Sequence, residues 1–241
     1  MKYIHSLEHP YVKRLVKLRR DKQFRHEEGT VLLEGKNAIA DVCNKREAIT
    51  LLLQEGTSLP IDLKAQNIIH VSPAIFKKIT SVESPEGMIA EIKMPGAGTL
   101  TNKRYIVACD SIQDPGNLGT IMRTALALGW DALFLIGACA DPFNDKALRA
   151  AKGATFELPL IWGSWSELAA TGLPIVVSSM KGKIPKECCC TDGCVLVLGN
   201  EAHGVTMPPE IPHTEVHIPM RTMESLNVAV AGGILMYVIM S

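Results

Sequence analysis

The sequence lacks an excess of charge of either sign, because its 25 Lys and Arg residues are matched by 25 Asp and Glu residues. A uniformly basic nucleic-acid-binding protein is therefore excluded, and any surface for a polyanion must come from an uneven distribution of charge. Internal repeats and low-complexity tracts are also absent. Hydrophobic residues make up 47% of the 241 residues, which supplies cores for one or two domains and excludes global disorder.

Long apolar runs are missing as well. The first residues, MKYIHSLEHPYVKRL, contain no apolar segment typical of a signal peptide. The best candidate for a membrane span, 226–240, is too short and predicts a buried helix instead. We therefore expect a cytoplasmic protein with no membrane partner.

The cysteines show neither a disulfide pattern nor a metal-binding pattern. Their number is odd, and the cluster at 188–194 has no CxxC pair and no histidine at zinc-ligand spacing. We expect no metal site and predict a surface loop at the cluster. The seven cysteines are Cys43, Cys109, Cys139, Cys188, Cys189, Cys190 and Cys194.

The N-terminal part predicts a small α/β domain over 1–95. Residues 10–25 predict one helix opened by Pro10, with seven basic residues against one acid. Beyond it, the apolar runs and turn residues predict strands at 50–54, 67–71 and 88–92, and helices at 37–43 and 75–79. The segment 93–103 breaks the pattern with Pro95, Gly96 and Gly98 among polar residues, which predicts a linker over 96–103.

The C-terminal part, 104–241, alternates strands and helices, which predicts a mainly parallel sheet with a ligand crevice at the carboxyl ends of its strands. We predict strands at 105–109, 132–136, 156–160, 175–178, 194–198 and 215–218, and helices at 118–128, 145–151, 165–170 and 226–239.

The first motif that could carry chemistry is DSIQDPGNLGTIMRTALALG at 110–129, where a strand leads into a helix. Asn117 is a suitable N-cap, and Arg123 lies on a helix face of small residues, where it and the helix N-terminus would favour an anion. An ordinary surface arginine is the alternative. The spacing differs from GxGxxG, which disfavours a Rossmann oxidoreductase.

Two further motifs follow strands. In CVLVLGNEAHGV at 194–205, glycines could let a ligand approach the backbone, and Glu201 could handle protons, although a polar turn has the same composition. In VHIPMRTMESLNVAVAGGILMYVI at 216–239, Ser225 or Asn227 could begin a strongly apolar helix, which suits a buried core or a subunit interface.

Together these segments resemble the SpoU (TrmH-type) RNA 2′-O-ribose methyltransferases of the SPOUT superfamily. The resemblance lies in NLGTIMR at 117–123, LGNE at 198–201, and IPM at 218–220 with SLNV at 225–228, in the family's order and spacing. RAAKGATFEL at 149–158 adds to it, and the N-terminal part resembles the L30e-like substrate-binding domain of many members.

The resemblance implies a deep trefoil knot in the C-terminal domain, a homodimer, and S-adenosylmethionine as cofactor. True knots are exceptional among folds, so periodicity alone does not predict one. Carried over by position, the implied cofactor-binding residues are Gly199, Ile218, Met220, Leu226, Ser178 and Leu198. The chain departs from the family at Arg221-Thr222-Met223, where members usually have a glycine and one more residue before SLN.

The implied reaction transfers a methyl group to a ribose 2′-hydroxyl of RNA, most often ribosomal (23S-type). Arg123 is the implied catalytic residue, supported by Asn117, Glu201, Ser225 and Asn227. Arginine normally stays protonated, so we expect Arg123 to bind a phosphate and polarise the hydroxyl, with Glu201 or water accepting the proton. The alternatives are a tRNA 2′-O-methyltransferase and a non-catalytic knotted module that binds cofactor or RNA.

The basic segment at 10–25 is the expected contact for RNA phosphates. A solvated helix face is the commoner explanation for such a charge run, and it stays open. The residues expected to contact RNA are Lys13, Arg14, Lys17 and Arg20.

Overall fold

The computed structural model describes residues 2–59, 63–185, 190 and 192–241. They pack as two compact units. The first contains the chain up to Pro95 together with Phe143–Phe156, and the second contains Gly96–Pro142 and Glu157–Ser241. Most of the RAAKGATFEL stretch therefore packs in the first unit although it follows the predicted linker in sequence.

The strands of the described residues are, in chain order, β1 (Lys2–Ile4), β2 (Thr30–Glu34), β3 (Ala48–Gln54), β4 (Ala65–Val71), β5 (Met88–Lys93), β6 (Tyr105–Asp110), β7 (Ala132–Ile136), β8 (Leu160–Trp162), β9 (Ile175–Lys183), β10 (Cys194–Leu198) and β11 (Thr214–Val216). The helices are α1 (Pro10–Arg20), α2 (Lys22–Glu28), α3 (Lys36–Cys43), α4 (Pro73–Ile79), α5 (Pro115–Ala127), α6 (Asp145–Ala151), α7 (Trp165–Ala169) and α8 (Val228–Met240).

The sheet of the first unit has the order β1-β4-β3-β5-β2. Strands β1, β4 and β3 are parallel, whereas β5 runs antiparallel to both β3 and β2. Leu15 and Leu18 of α1 and Phe76 of α4 are fully buried against one face of this sheet. The short strand β1, which the sequence patterns did not indicate, forms one edge.

The sheet of the second unit has the order β11-β9-β10-β6-β7-β8, and every neighbouring pair is parallel. Its central strands β10, β6 and β7 are buried along their whole length, except for half-buried Tyr105 at the start of β6. Continuous apolar strands are expected where helices cover both faces of a parallel sheet. The predicted α/β fold with a mainly parallel C-terminal sheet is confirmed.

The predicted single helix at 10–25 is wrong, because the chain breaks at Asp21. This residue is extended (φ −109°, ψ 111°), and its carboxylate accepts a hydrogen bond from the backbone N–H of Phe24 at 3.0 Å. An aspartate that caps a new helix competes with continuation of the old one. The break turns Arg25 inward, where it donates to the carbonyls of Leu18 and Arg19 at the end of α1.

The predicted strand at 156–160 is also wrong. Ala154–Phe156 forms a 3-10 turn buried in the first unit, where the Phe156 carbonyl accepts a hydrogen bond from Arg46 at 2.6 Å. Pairing with β7 begins only at Leu160. The apolar run thus contains residues of two different units, which periodicity cannot separate.

The prediction of a surface loop at the cysteine cluster is wrong for its two described members. Cys190 and Cys194 are buried, whereas Cys188 and Cys189 lie outside the described residues. Within the described part of the chain, no group of three or more His, Cys, Asp or Glu side chains could hold a metal ion. No helix in that part is both long and apolar enough to cross a membrane.

Candidate active site

Three connecting segments meet at one edge of the parallel sheet of the second unit. They follow β6, β10 and β11 and comprise 111–114, 199–213 and 217–227. These strands run in the same direction through the parallel pairs of β10 with β6 and β9, and of β11 with β9. The carboxyl ends of parallel strands are where open α/β sheets bind ligands.

The end of β6 anchors the second of these segments through a buried carboxylate. Asp110 is 1% exposed and accepts hydrogen bonds from the backbone N–H (2.6 Å) and hydroxyl (2.8 Å) of Thr206. Its other oxygen accepts from the Ser111 hydroxyl at 3.1 Å. A buried carboxylate requires such partners, so the position of Thr206 is tightly defined. The sequence patterns did not select Asp110 or Thr206.

The turn after β10 is closed on itself. Asn200 and Gly204 exchange two backbone hydrogen bonds of 2.9 Å, and the Asn200 side chain accepts from the N–H groups of Ala202 and His203. Its amide also donates to the Ser111 carbonyl at 2.8 Å. A Cβ on Gly199 would lie 2.3 Å from the Gly204 carbonyl carbon. The backbone at Gly204 therefore leaves no room for a side chain at position 199, which requires glycine.

Asn117 lies inside α5 and is not its N-cap, contrary to the prediction. The cap is Asp114, whose carboxylate accepts from the Asn117 backbone N–H at 2.8 Å. Because Asp114 satisfies the helix N-terminus, the Asn117 side chain is available for other partners.

A chain of side-chain hydrogen bonds joins the three motifs. The Asn227 amide donates to Asn117 Oδ1 at 2.9 Å, and the Asn117 amide donates to Glu201 Oε1 at 2.8 Å. Asn227 is at the same time the N-cap of α8, since its Oδ1 accepts from the N–H groups of Ala229 and Val230. The structure thus brings together three of the five predicted catalytic residues.

Arg123 is exposed and lies on α5, roughly 9 Å along the helix axis from Asn117 at 1.5 Å per residue. Among the described residues the Arg123 side chain has neither a hydrogen bond nor an ion pair, and the same holds for the side chain of Ser225. The guanidinium is therefore free to bind an anion that comes from outside the chain.

The predicted cofactor residues differ in exposure. Leu198 is fully buried, Ser178 and Ile218 are partly exposed, and Met220 and Leu226 expose 37% and 38% of their surface. Across 218–226, no backbone group in the described structure has a hydrogen-bond partner within the chain. Free backbone groups beside apolar side chains suit a ligand with a flat heteroaromatic ring, so this segment fits an adenosine-containing cofactor.

The nearby cysteines do not serve as nucleophiles. Burial raises the pKa of Cys109 well above that of a free thiol, and the nearby Cys139, Glu201 and Asp110 raise it further. Burial also raises the pKa of Cys139, whose thiol donates to the carbonyls of Cys109 and Ile136. Both thiols therefore stay protonated at neutral pH.

The residues expected to contact RNA lie on α1 in the first unit, and three of the four already interact within the chain. Lys13 pairs with Glu8 at 2.7 Å, Arg14 pairs with Glu28 and Glu91, and the Lys17 ammonium lies 4.2 Å from the centre of the Phe24 ring. Arg20 is exposed. The run of positive charge in the sequence is thus partly neutralised in the fold.

A parallel α/β domain with polar residues of three motifs at the carboxyl edge of its sheet defines a ligand-binding enzyme of the open-sheet class. The SpoU rRNA Methylase family model matches residues 104–237, more than half of the chain. The MRM3-like substrate binding domain model matches residues 9–90. The chain belongs to the SpoU rRNA methylase family.

Individual relatives agree with this assignment over nearly the full length. The 23S rRNA (guanosine(2553)-2′-O)-methyltransferase RlmP of Bacillus subtilis is 33% identical over 98% of both chains. An RNA 2′-O ribose methyltransferase of known structure has a TM-score of 0.83 and 28% identity, covering 98% of this chain and 97% of its own. The AdoMet-bound rRNA methyltransferase of Sinorhizobium meliloti has a TM-score of 0.84 and 25% identity, covering 99% and 97%.

The comparisons confirm the predicted family, the methyltransferase class and S-adenosylmethionine as its cofactor. The roles of the individual site residues stay predictions.

Proposed function

We propose that this protein transfers a methyl group from S-adenosylmethionine to a ribose 2′-hydroxyl of ribosomal RNA of the 23S type. The observation that carries the proposal is the hydrogen-bonded chain of Asn227, Asn117 and Glu201, in which each residue comes from a different motif. The full-length similarity to RlmP, whose name specifies 23S rRNA, supports the choice of substrate. A tRNA substrate is the alternative, and the assay below distinguishes the two.

The cofactor would be held by the segment 218–226, through its free backbone groups and the apolar side chains of Ile218, Met220 and Leu226. Leu198, Gly199 and Ser178 would line the same edge of the sheet from β10 and β9. The cofactor supplies an electrophilic methyl group, so the remaining task of the chain is to orient the hydroxyl and remove its proton.

Arg123 would bind the phosphate next to the target ribose and polarise the 2′-hydroxyl, because its guanidinium is exposed and has no partner in the described chain. Glu201 would receive the proton directly or through water. One of its oxygens accepts from Asn117, which orients the carboxylate and leaves the other oxygen available. Ser225 would contribute a hydroxyl from the exposed segment before α8.

We propose the domain division that the sequence predicts: a substrate-binding domain over 1–95, a linker over 96–103 and a methyltransferase domain over 104–241. The match of the two family models to 9–90 and 104–237 supports it. A trefoil knot in the second domain is supported by the similarity to SpoU structures and by the chain leaving β9 for β10 and returning to pair β11 with β9. We also propose a cytoplasmic location, which the full-length similarity to the bacterial RlmP supports.

A homodimer is the proposed assembly, and α8 carries its support. Val230, Ile234 and Tyr237 expose 52%, 39% and 63% of their surface and recur at a spacing of four and three residues. Such spacing places them on one face of the helix, and an apolar helix face of this kind is typical of an interface.

The test of the function compares Arg123→Ala with the wild type in methyl transfer to 23S rRNA transcripts. We expect kcat to fall about 100-fold or more, as for loss of a charge-stabilising group, with the Kd for S-adenosylmethionine unchanged. The matched control is Arg104→Ala. Arg104 is also an exposed arginine, but it precedes β6 and therefore lies at the amino ends of the strands, away from the candidate active site. Near-normal turnover of Arg123→Ala would remove Arg123 from the mechanism.

Mapping of 2′-O-methyl groups on cellular RNA, with and without the gene, identifies the substrate. Loss of a group from 23S-type rRNA is expected, whereas loss from tRNA alone would favour the alternative. Cofactor binding without methyl transfer to any RNA would identify a non-catalytic module.

A further inference from the structure

A cavity of about 510 Å³ lies in the first unit, outside the candidate active site. It is bounded by strands β1, β3 and β4 and by the start of α1. Its size falls within the range of roughly 300–1,000 Å³ that is typical of pockets for small molecules and single nucleotides.

The inner wall of the cavity is apolar and firmly held. It is formed by Ile4 and Ile69, which are buried, and by Tyr11. The Tyr11 hydroxyl donates to Glu91 Oε2 at 2.9 Å, which fixes the ring. Burial raises the pKa of Tyr11 to about 12, so the ring stays neutral at physiological pH. A neutral aromatic ring beside aliphatic side chains suits a flat, weakly polar partner.

Polar groups line the cavity next to this wall. Thr50 of β3 and Asn67 of β4 are directly paired across the two strands. The Asn67 amide donates to the Ile49 carbonyl at 3.2 Å, which leaves its side-chain oxygen as an acceptor. The Thr50 hydroxyl is buried and already bonded to the Tyr11 hydroxyl, so it needs no ligand. A purely hydrocarbon ligand would leave the Asn67 oxygen without a partner, whereas the edge of a nucleobase offers donors to it.

The charge around the cavity favours a phosphate. The charged Lys2 is exposed at its boundary, and no carboxylate lines it among the described residues. Glu91, behind Tyr11, is already satisfied by Tyr11, Arg14 and Thr30. Glu8, the acid next to His9 in sequence, pairs with Lys13 and Lys78.

We propose that this cavity binds one unpaired nucleotide of the substrate RNA, other than the one that is methylated. The base packs against Tyr11, Ile4 and Ile69, its edge bonds to Asn67, and Lys2 neutralises its phosphate. Proteins commonly recognise RNA through unstacked bases held by aromatic side chains and hydrogen bonds. The identity of the RNA rests on the proposed function, whereas the nucleotide chemistry of the cavity does not.

The first test fills the cavity with Asn67→Trp and measures the Kd of the full chain for a 23S rRNA transcript. The matched control is Gln66→Trp, which places the same side chain on the opposite face of β4, where Gln66 is also exposed. We expect about a tenfold higher Kd for Asn67→Trp and a wild-type Kd for Gln66→Trp, as loss of one bound base predicts. Equal affinities of the two variants would overturn the proposal and leave the cavity to a ligand other than RNA.

The second test does not depend on a variant. The wild-type chain is photocrosslinked to a 23S rRNA transcript that contains 4-thiouridine, and the modified peptides are identified by mass spectrometry. Crosslinks within 2–11 or 65–71 are expected, and their absence from both segments, when crosslinks form elsewhere, would overturn the proposal. Neither test measures methyl transfer. A wild-type chain that fails to bind the 23S rRNA transcript would contradict the proposed substrate, whereas normal binding by the wild type with equal affinities of the two variants would contradict the cavity proposal.

Discussion

Glu91 is a carboxylate that the fold buries almost completely, with 2% of its surface exposed. The free-energy cost of removing this carboxylate from water is offset by hydrogen bonds from Tyr11, Arg14 and Thr30, at 2.9, 2.8 and 3.0 Å. Hydrogen bonding to Glu91 raises the pKa of Arg14 above its ordinary value, against the effect of burial, so the guanidinium stays charged. Arg14 is thus a structural residue of the first unit before it is a candidate RNA ligand.

Replacing Arg14 therefore separates stability from RNA binding. We expect Arg14→Met to lower the free energy of unfolding by about 3–5 kcal/mol, because it leaves the Glu91 charge buried without its partner. Lys13→Met removes the same charge from a solvent-exposed pair with Glu8 and should leave the stability close to that of the wild type. Chemical denaturation of both variants measures the difference, and equal losses would contradict this role for Arg14.

The difference between Arg14 and the exposed basic residues of α1 also predicts which of them contact RNA. If α1 binds phosphates, neutralising exposed Lys13, Lys17 and Arg20 should reduce the salt dependence of RNA binding without loss of stability. Arg14 has its charge satisfied by two carboxylates, so its contribution to RNA binding should be the smallest of the four.

Among the elements, helix α8 packs closely on both β10 and α5 through consecutive glycines. A Cβ on Gly232 would lie 2.6 Å from Leu198 Cδ1, and Leu198 is fully buried and cannot move away. A Cβ on Gly233 would meet only Thr124 Cγ2 at 3.5 Å, an ordinary contact distance. The position of α8 sets that of Asn227 at its start, so this packing positions the hydrogen-bonded chain of the candidate active site.

Alanine at these two glycines should change stability in opposite directions. We expect Gly232→Ala to destabilise the protein by about 1–3 kcal/mol through overpacking. Gly233→Ala should stabilise it by about 0.5–1 kcal/mol, since alanine is the better helix former. Thermal unfolding at one protein concentration measures both, and a loss of stability in Gly233→Ala as large as in Gly232→Ala would contradict the packing argument.

At the scale of the whole molecule, the exposed face of α8 predicts the assembly state. We expect light scattering to give the mass of two chains for the wild type and of one chain for Ile234→Lys, because a lysine charge would have to be buried in the interface. Met180→Lys is the matched control, as Met180 is a 61% exposed apolar residue of the same unit on β9. A single-chain mass for the wild type, or a dimer of Ile234→Lys, would contradict the α8 interface.

Short-range patterns in the sequence determined most of the elements. The strands at 105–109, 132–136 and 194–198 and the helix at 145–151 are confirmed, because continuous apolar runs and capping residues act within a few positions. The family and its cofactor could also be predicted, since three motifs in a fixed order are specific together. The residue that caps α5 could not be predicted, because Asp114 and Asn117 are both good capping residues and lie in the same turn.

Only the tertiary structure decided which distant residues meet. Asn117 bonds to residues 84 and 110 positions away, and Arg14 to one 77 positions away. The tertiary structure also placed Phe143–Phe156 in the first unit. It showed that glycine at 199 is required by close packing within the turn after β10. Such contacts depend on the order of the strands in the sheet. The hydrophobic periodicity of a short segment contains no information about that order. The sequence by itself therefore determined the family and most of the elements, whereas the fold decided which charges are satisfied internally and which, like that of Arg123, have no partner among the described residues.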